Sequence, residues 1–212
     1  MSRRSFRRRP PASYLVLAAF AFFILLRAGC QFGEVQPGSD GARPADAMAG
    51  EALVAGSCEL VRVVDGDTLI VRQRAAEVSG SGGSAPDADW VQFRVRLLGI
   101  DTPETVKEGT AVEPWGPQAT AFARDFVQQG PMRVELDKRR LDRFGRSLAY
   151  VYVNDEMLNL ALVRAGLARV SSYPGDSQTM LRQLRQAETE ARSLGAGIWS
   201  ERPPQPAGAA SN

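Results

Sequence analysis

The sequence predicts an α+β fold, a small barrel of five short strands packed against three helices. Three observations carry that prediction: five β-type runs are separated by turn-forming residues, one helical run is inserted after the third, and two helical runs follow the last. Residues 60–64 form the first strand, and residues 68–71 form its hairpin partner across Asp65 and Gly66. The stretch AAEVSGSGGSAPDAD, rich in glycine and serine, reads as a long mobile hairpin loop. It leads into residues 90–98, where Val91, Phe93, Val95 and Leu97 alternate with polar residues. One face of that strand is therefore core, and Arg94 and Arg96 lie on the other. Pro117 opens a helix in which Ala119, Phe122, Ala123, Phe126 and Val127 keep helical spacing, with Gly130 as its end. Residues 132–136 and 148–153 are the last two strands. Residues 158–165 form a short helix stopped by Gly166, and Met180, Leu184, Ala187, Ala191 and Leu194 mark a final helix ended by Gly195.

Composition bounds the chemistry. The chain has no histidine, which excludes Ser-His-Asp and Cys-His catalysis, His-ligated zinc and any imidazole base. Carboxylates, arginines, hydroxyls or an oxygen-ligated metal must do the work. Cys30 and Cys58 cannot make a zinc site alone; a disulfide between them is open in an oxidising compartment. The formal charge of +2 conceals an asymmetry. Six arginines and no acid precede Cys30, so the rest of the chain carries more acids than bases, and any attraction to phosphate must be local.

Residues 1–29, MSRRSFRRRPPASYLVLAAFAFFILLRAG, are expected to be an export signal or a short membrane anchor. The apolar run at 14–26 is shorter than the roughly 20 residues of a spanning helix and suits a signal core. Ser2 to Phe6 resembles the start of a twin-arginine signal, an ordinary arginine-rich head being the alternative. Ala28-Gly29-Cys30 resembles a bacterial lipoprotein cleavage site, from which Arg27 departs. The folded part is accordingly expected at the periplasmic or extracellular face of the envelope. Residues 30–56 read as a flexible linker, 57–200 as the folded domain, and 201–212 as a disordered tail.

The chemistry gathers in three places. VVDGDTLIV carries Asp67 beside a tight turn, RVRLLGIDTPE carries Arg96, Asp101, Thr102 and Glu104, and DRFGRSLAYVYV carries Arg146. Taken singly, each is an ordinary turn acid or solvated strand residue. Taken together, Asp67 and Asp101 suit one hard divalent cation, with the Thr102 carbonyl and waters completing its shell. Arg96 and Arg146 offer planar, permanently charged forks to phosphate oxygens. Glu104 is the carboxylate left to steer or deprotonate water.

Those three segments, with MLNLALVRAGLARV and GIWS following in order, resemble the staphylococcal-nuclease (thermonuclease) family over residues 59–200. The resemblance implies an OB-fold barrel with three helices and a calcium-dependent nuclease acting on DNA and RNA, preferring single-stranded or unpaired regions. It implies 5′ P–O cleavage leaving 3′-phosphate ends, by a monomer. By motif position it makes Asp67 and Asp101 calcium ligands through their carboxylates and Thr102 through its backbone oxygen. Glu104 becomes the residue orienting the attacking water, with metal-activated water as the alternative base, and Arg96 and Arg146 become clamps on the scissile phosphate. The rival class is a non-catalytic nucleic-acid or protein-binding barrel. Phe144 stands where the family usually has a tyrosine, and Tyr173 is the aromatic left for base stacking, a core role being its alternative. Lys107 on the loop after Glu104 is offset by Glu108 and Glu113. Arg133, Lys138, Arg139, Arg140 and Arg143 read either as a compensating patch or as a solvated basic face.

Overall fold

The computed structural model describes residues 52–78, 90–105 and 112–201. The expected export segment, Cys30, most of the linker, most of the glycine-rich stretch and all but the first residue of the tail lie outside them.

The elements run β1 (Gly56–Asp65), β2 (Thr68–Arg74), α1 (Ala75–Val78), β3 (Trp90–Leu97), β4 (Ile100–Asp101), α2 (Gly116–Val127), β5 (Met132–Leu141), β6 (Ser147–Val153), β7 (Glu156–Met157), α3 (Leu158–Arg164), β8 (Arg169–Val170) and α4 (Gln178–Ser193), with a 3₁₀ turn at Gly197–Trp199. Strands β3-β2-β1-β5-β6 follow one another in a sheet that a parallel β3–β6 pairing closes into a five-stranded barrel. Closure leaves the central strands without free edges. This is the α+β OB-fold barrel that the sequence predicts. β7 extends the β6 side, and β4 pairs with β8 so that Asp101 lies opposite Arg169.

Alternation builds the interior. Leu69 and Val71 of β2, Phe93, Val95 and Leu97 of β3, and Val134 and Val151 of β5 and β6 all join the buried core. The amphipathic faces of α2, α3 and α4 cap it through Ala119, Ala123, Phe126, Leu158, Leu162, Leu181 and Leu184. Asn159 is a fully buried polar side chain beside that core. Its amide donates to Leu98 O at 2.9 Å and its carbonyl accepts from Val151 N at 3.0 Å, which ties α3 to the turn that precedes Asp101.

Four boundaries differ from the sequence reading, each for a local reason. The fold begins before residue 57: Leu53 is buried, and the Gln73 side chain brackets Val54 by accepting from its N–H at 3.1 Å and donating to its carbonyl at 2.9 Å. β2 therefore continues to Arg74, and the short helix α1 follows where a loop is expected. β5 runs to Leu141 because pairing with Ser147, across a register shift, carries strand through the polar DKRR stretch. α2 stops at Val127, while Gly130 is needed for close approach: a Cβ there would meet the Asn154 amide at 2.1 Å.

Candidate active site

The DGD turn joins β1 to β2 and buries both of its acids. Asp65 accepts from Gly66 N at 2.7 Å, Thr105 Oγ1 at 2.7 Å and Thr120 Oγ1 at 3.2 Å, which anchors the turn to the loop after β4 and to α2. Gly66 is required by proximity, since a Cβ would lie 2.8 Å from both Thr102 Oγ1 and Ala119 Cβ. Asp67 is 1% exposed. Its Oδ2 accepts from Thr102 N at 2.9 Å and Thr102 Oγ1 at 3.0 Å, and its Oδ1 from Thr68 Oγ1 at 3.1 Å.

Register places the next partner. Arg96 sits opposite Thr68 in the β2–β3 ladder, one residue from Asp67. One terminal nitrogen of Arg96 donates to Asp67 Oδ1 and the other to Asp101 Oδ1, so two carboxylates from different elements converge on one positive charge. Asp101 is the open member of that trio, its side chain 60% exposed. Burial lifts the Asp67 carboxyl above the ordinary carboxylate value, against the pull of Arg96 and the two Thr102 bonds. Its negative charge is costly without a cation beside it.

Glu104 is exposed, yet its carboxyl is also raised, first by partial burial and then by the negative charges of Asp65 and Asp67, with Arg96 opposing. Its main chain is closed by the Glu113 N–H, which donates to Glu104 O at 3.0 Å. A glutamate so placed is a stronger base near neutrality than a free one.

Arg146 is held from its own turn. Its Nε donates to Asp142 Oδ2 at 2.6 Å, while Asp142 Oδ1 takes the N–H groups of Phe144 at 2.8 Å and Arg146 at 3.0 Å. Burial pushes the Asp142 carboxyl up, but these bonds and the guanidinium outweigh it and leave the group below its ordinary value. Arg96, Asp101 and Arg146 then line one cavity of about 440 Å³, together with Arg139, Phe144 and Tyr173. The structure thus brings together side chains that lie up to 79 positions apart, from Asp67 to Arg146. Thr102 reaches them by hydrogen bonds to Asp67, while Glu104 is not among the residues lining the cavity.

Four supporting residues escape sequence reading: Asp65, Asp142, Asn159 and Asp176. Asp65 and Asp142 stand two and four positions from Asp67 and Arg146, in turns where an acid is commonplace; only the burial of Asp65 and the hydrogen bonds of Asp142 mark them. Tyr173 is 58% exposed, which removes the core alternative. Arg139 stacks on its ring at 4.4 Å and bonds Asp176 at 3.1 Å. The basic residues of β5 and the turn after it divide, for Arg133 pairs with Glu135 and Arg139 with Asp176, while Arg139 and Arg143 both line the cavity. Trp115 and Trp199 are half-buried packing residues, Trp199 lying between the Arg169 and Arg192 guanidiniums at 4.9 and 4.2 Å. Cys58 is buried and pairs with no cysteine among the described residues, outside which Cys30 lies.

No group of three or more acidic or cysteine side chains suited to a metal gathers among the described residues. The oxygen set is the Asp101 carboxylate, which lines the cavity, with the Asp67 carboxylate and the Thr102 main chain buried beside it and joined through Arg96 and their hydrogen bonds. Its donor chemistry fits a hard divalent ion, since both acids already share one positive charge.

Comparison with known proteins gives the same direction. The family model described as Staphylococcal nuclease homologue matches residues 94–201. The chain is 40% identical over 138 residues to a thermonuclease of Staphylococcus intermedius, covering 65% of this chain and 73% of that protein. It is 39% identical over 142 residues to a thermonuclease of Staphylococcus hyicus, covering 67% and 75%. Endonuclease YncB of Bacillus subtilis is 35% identical over 143 residues, or 67% of this chain and 61% of that protein.

Proposed function

Because the chain belongs to the staphylococcal nuclease homologue family, we propose that it is an exported, calcium-dependent endonuclease hydrolysing phosphodiester bonds of DNA and RNA. Cleavage falls at the 5′ P–O bond and leaves 3′-phosphate ends. The observation that carries the reading is the sharing of Arg96 by Asp67 and Asp101 at the rim of a cavity that Arg146 also lines.

Asp67 and Asp101, with the Thr102 backbone oxygen, would hold the calcium. When bound, the ion supplies positive charge to the phosphoryl oxygens and lowers the cost of ionising water. Arg96 and Arg146 present fixed guanidinium forks from opposite sides of the sequence, and their bonds to a phosphate strengthen as its oxygens gain charge. Glu104 receives the proton of the attacking water, helped by its raised pKa. Asp142 holds the Arg146 guanidinium in place, and Thr102 fixes the Asp67 carboxylate beside Arg96.

Export rests on residues 1–29, whose arginine-rich head and apolar run suit a signal or short anchor, with Cys30 as a site of lipid attachment. It places the enzyme at the periplasmic or extracellular face of the envelope, where it acts as a monomer on single-stranded or unpaired nucleic acid. The test is digestion of an end-labelled single-stranded oligonucleotide by the full chain across a calcium titration. Cleavage that appears with calcium, stops with chelator and leaves phosphatase-sensitive 3′ ends supports the reading. Retention of the oligonucleotide without cleavage at any calcium level assigns the chain to the binding-module class instead.

A further inference from the structure

One basic surface is left unused by the site. On β3, Trp90, Gln92, Arg94 and Arg96 share the face turned away from Phe93, Val95 and Leu97. The ladder sets Ile70 opposite Arg94, Arg72 opposite Gln92 and Arg74 opposite Trp90. β1 adds Arg62 opposite Ile70 and Glu59 opposite Arg72. Four arginines thus continue outward from Arg96 along the outer face of three adjacent strands, with Glu59 as the one acid at these paired positions.

The four are not equally engaged. Glu59 takes two bonds from Arg72, at 3.0 and 2.7 Å. Arg72 and Arg74 lie over the Trp90 ring at 4.5 and 4.9 Å. Stacking fixes a guanidinium plane without consuming its N–H donors, so Arg74 is steadied yet still able to bond an anion. Arg62 and Arg94 are exposed, and their side chains form no hydrogen bond or ion pair with another described residue. Two exposed arginines thus stand on the strand face that carries the phosphate clamp, in a chain with more acids than bases beyond its first 29 residues.

We propose that this strip is a guide rail for single-stranded nucleic acid, holding backbone phosphates on one side of the bond being cut. The inference rests on the nuclease reading and adds to it where the rest of the strand lies. From Arg96 to Trp90 the strip spans six strand positions, about 20 Å at ~3.3 Å per residue, room for several nucleotides. Continuity with Arg96 fixes its direction, and phosphate charge fixes its occupant. Recognition is independent of sequence, because guanidinium groups on an open strand face meet phosphates rather than base edges.

The test uses the full chain and its Arg62→Ala/Arg74→Ala/Arg94→Ala variant, none of whose altered residues belongs to the catalytic arrangement. Binding of a labelled long single-stranded oligonucleotide is followed by fluorescence anisotropy in chelator at several salt concentrations, and cleavage of that oligonucleotide and of a dinucleotide is followed with calcium. Each lost phosphate contact flattens the dependence of log K on log salt by about 0.7. The expected result is therefore a slope shallower by about 2, with a higher KM and unchanged kcat on the long strand and unaltered kinetics on the dinucleotide. An unchanged slope and KM on the long strand would overturn the rail. Equal losses on both substrates would overturn it too, as they would mark a general structural defect. If the parent chain cleaves neither substrate, the nuclease reading fails, while the anisotropy slopes still decide whether the strip binds.

Discussion

Two buried aspartate–arginine pairs sit on the same barrel and do different work. Asp176, at the start of α4, accepts from Arg139 at 3.1 Å and from Tyr173 N at 2.8 Å. Its arginine serves that one acid and is covered by the Tyr173 ring. Asp67 is as deeply buried and as fully bonded, but its arginine is shared with Asp101, an acid open to solvent. In the first pair the arginine lines the cavity but its one acid is shut away, and the pair latches β5 to the loop before α4. The second is open, and its charge is balanced by a group that other ligands can reach. Burial and ion pairing therefore do not identify a site; an unsaturated second carboxylate at the rim does.

The largest effect separates the two pairs most sharply. Arg96→Ala and Arg139→Ala each strand a buried carboxylate and are expected to cost about 3–5 kcal/mol in chelator, read by urea unfolding. Only Arg96→Ala should also lower kcat, by a factor on the order of 10²–10³. Added calcium should restore part of the stability lost in Arg96→Ala and none in Arg139→Ala, because only Asp67 faces the proposed ion. Equal calcium rescue of the two variants would remove the distinction.

Arg146→Ala tests the open pair from across the cavity. It leaves Asp67 and Arg96 intact, so the unfolding midpoint should move little while kcat falls by about 10²–10³. A fall in affinity with kcat preserved would make Arg146 a docking group instead.

Glu104→Gln comes next, with kcat reduced by about 10². The base must be unprotonated to act, so the rate declines as pH drops through its pKa. Because burial and the Asp65 and Asp67 charges raise that pKa, the acid limb of the parent profile should lie above the value of about 4.3 for a free glutamate. The variant should lose that limb. A limb that persists in Glu104→Gln assigns it to another group.

The two pairs also show what a sequence can reveal. Strands with strict inner alternation, such as β3, and helices with long apolar spacing, such as α4, were readable because one face meets the core. Asp67, Arg96, Asp101 and Arg146 were readable because charges recur in ordered motifs. The sharing of Arg96 was not, since it follows from the β2–β3 register and from the Asn159 brace under residue 98, both long-range. The extension of β5 to Leu141 was hidden by its polar DKRR stretch, whose strand character comes from pairing with β6 rather than from its own propensity. Asp176 was hidden for the same reason as Asp65: an acid in a turn is commonplace, and only packing distinguishes it from its neighbours.

The smallest predicted effect probes the open rim alone. Phe144 is 68% exposed, lines the cavity and lies under Arg143 and Arg146, at 4.7 and 5.4 Å from their guanidinium carbons. It supports the clamp through its ring face but brings no donor to a phosphate. Phe144→Tyr keeps that face, adds one hydroxyl at an exposed position and disturbs no buried contact. A single hydrogen bond contributes about 0.5–1.5 kcal/mol, so KM should fall by a few-fold with kcat and the unfolding midpoint unchanged. A fall in kcat would mean that the hydroxyl diverts Arg146 from the phosphate, and the ring would then be present to leave that guanidinium free.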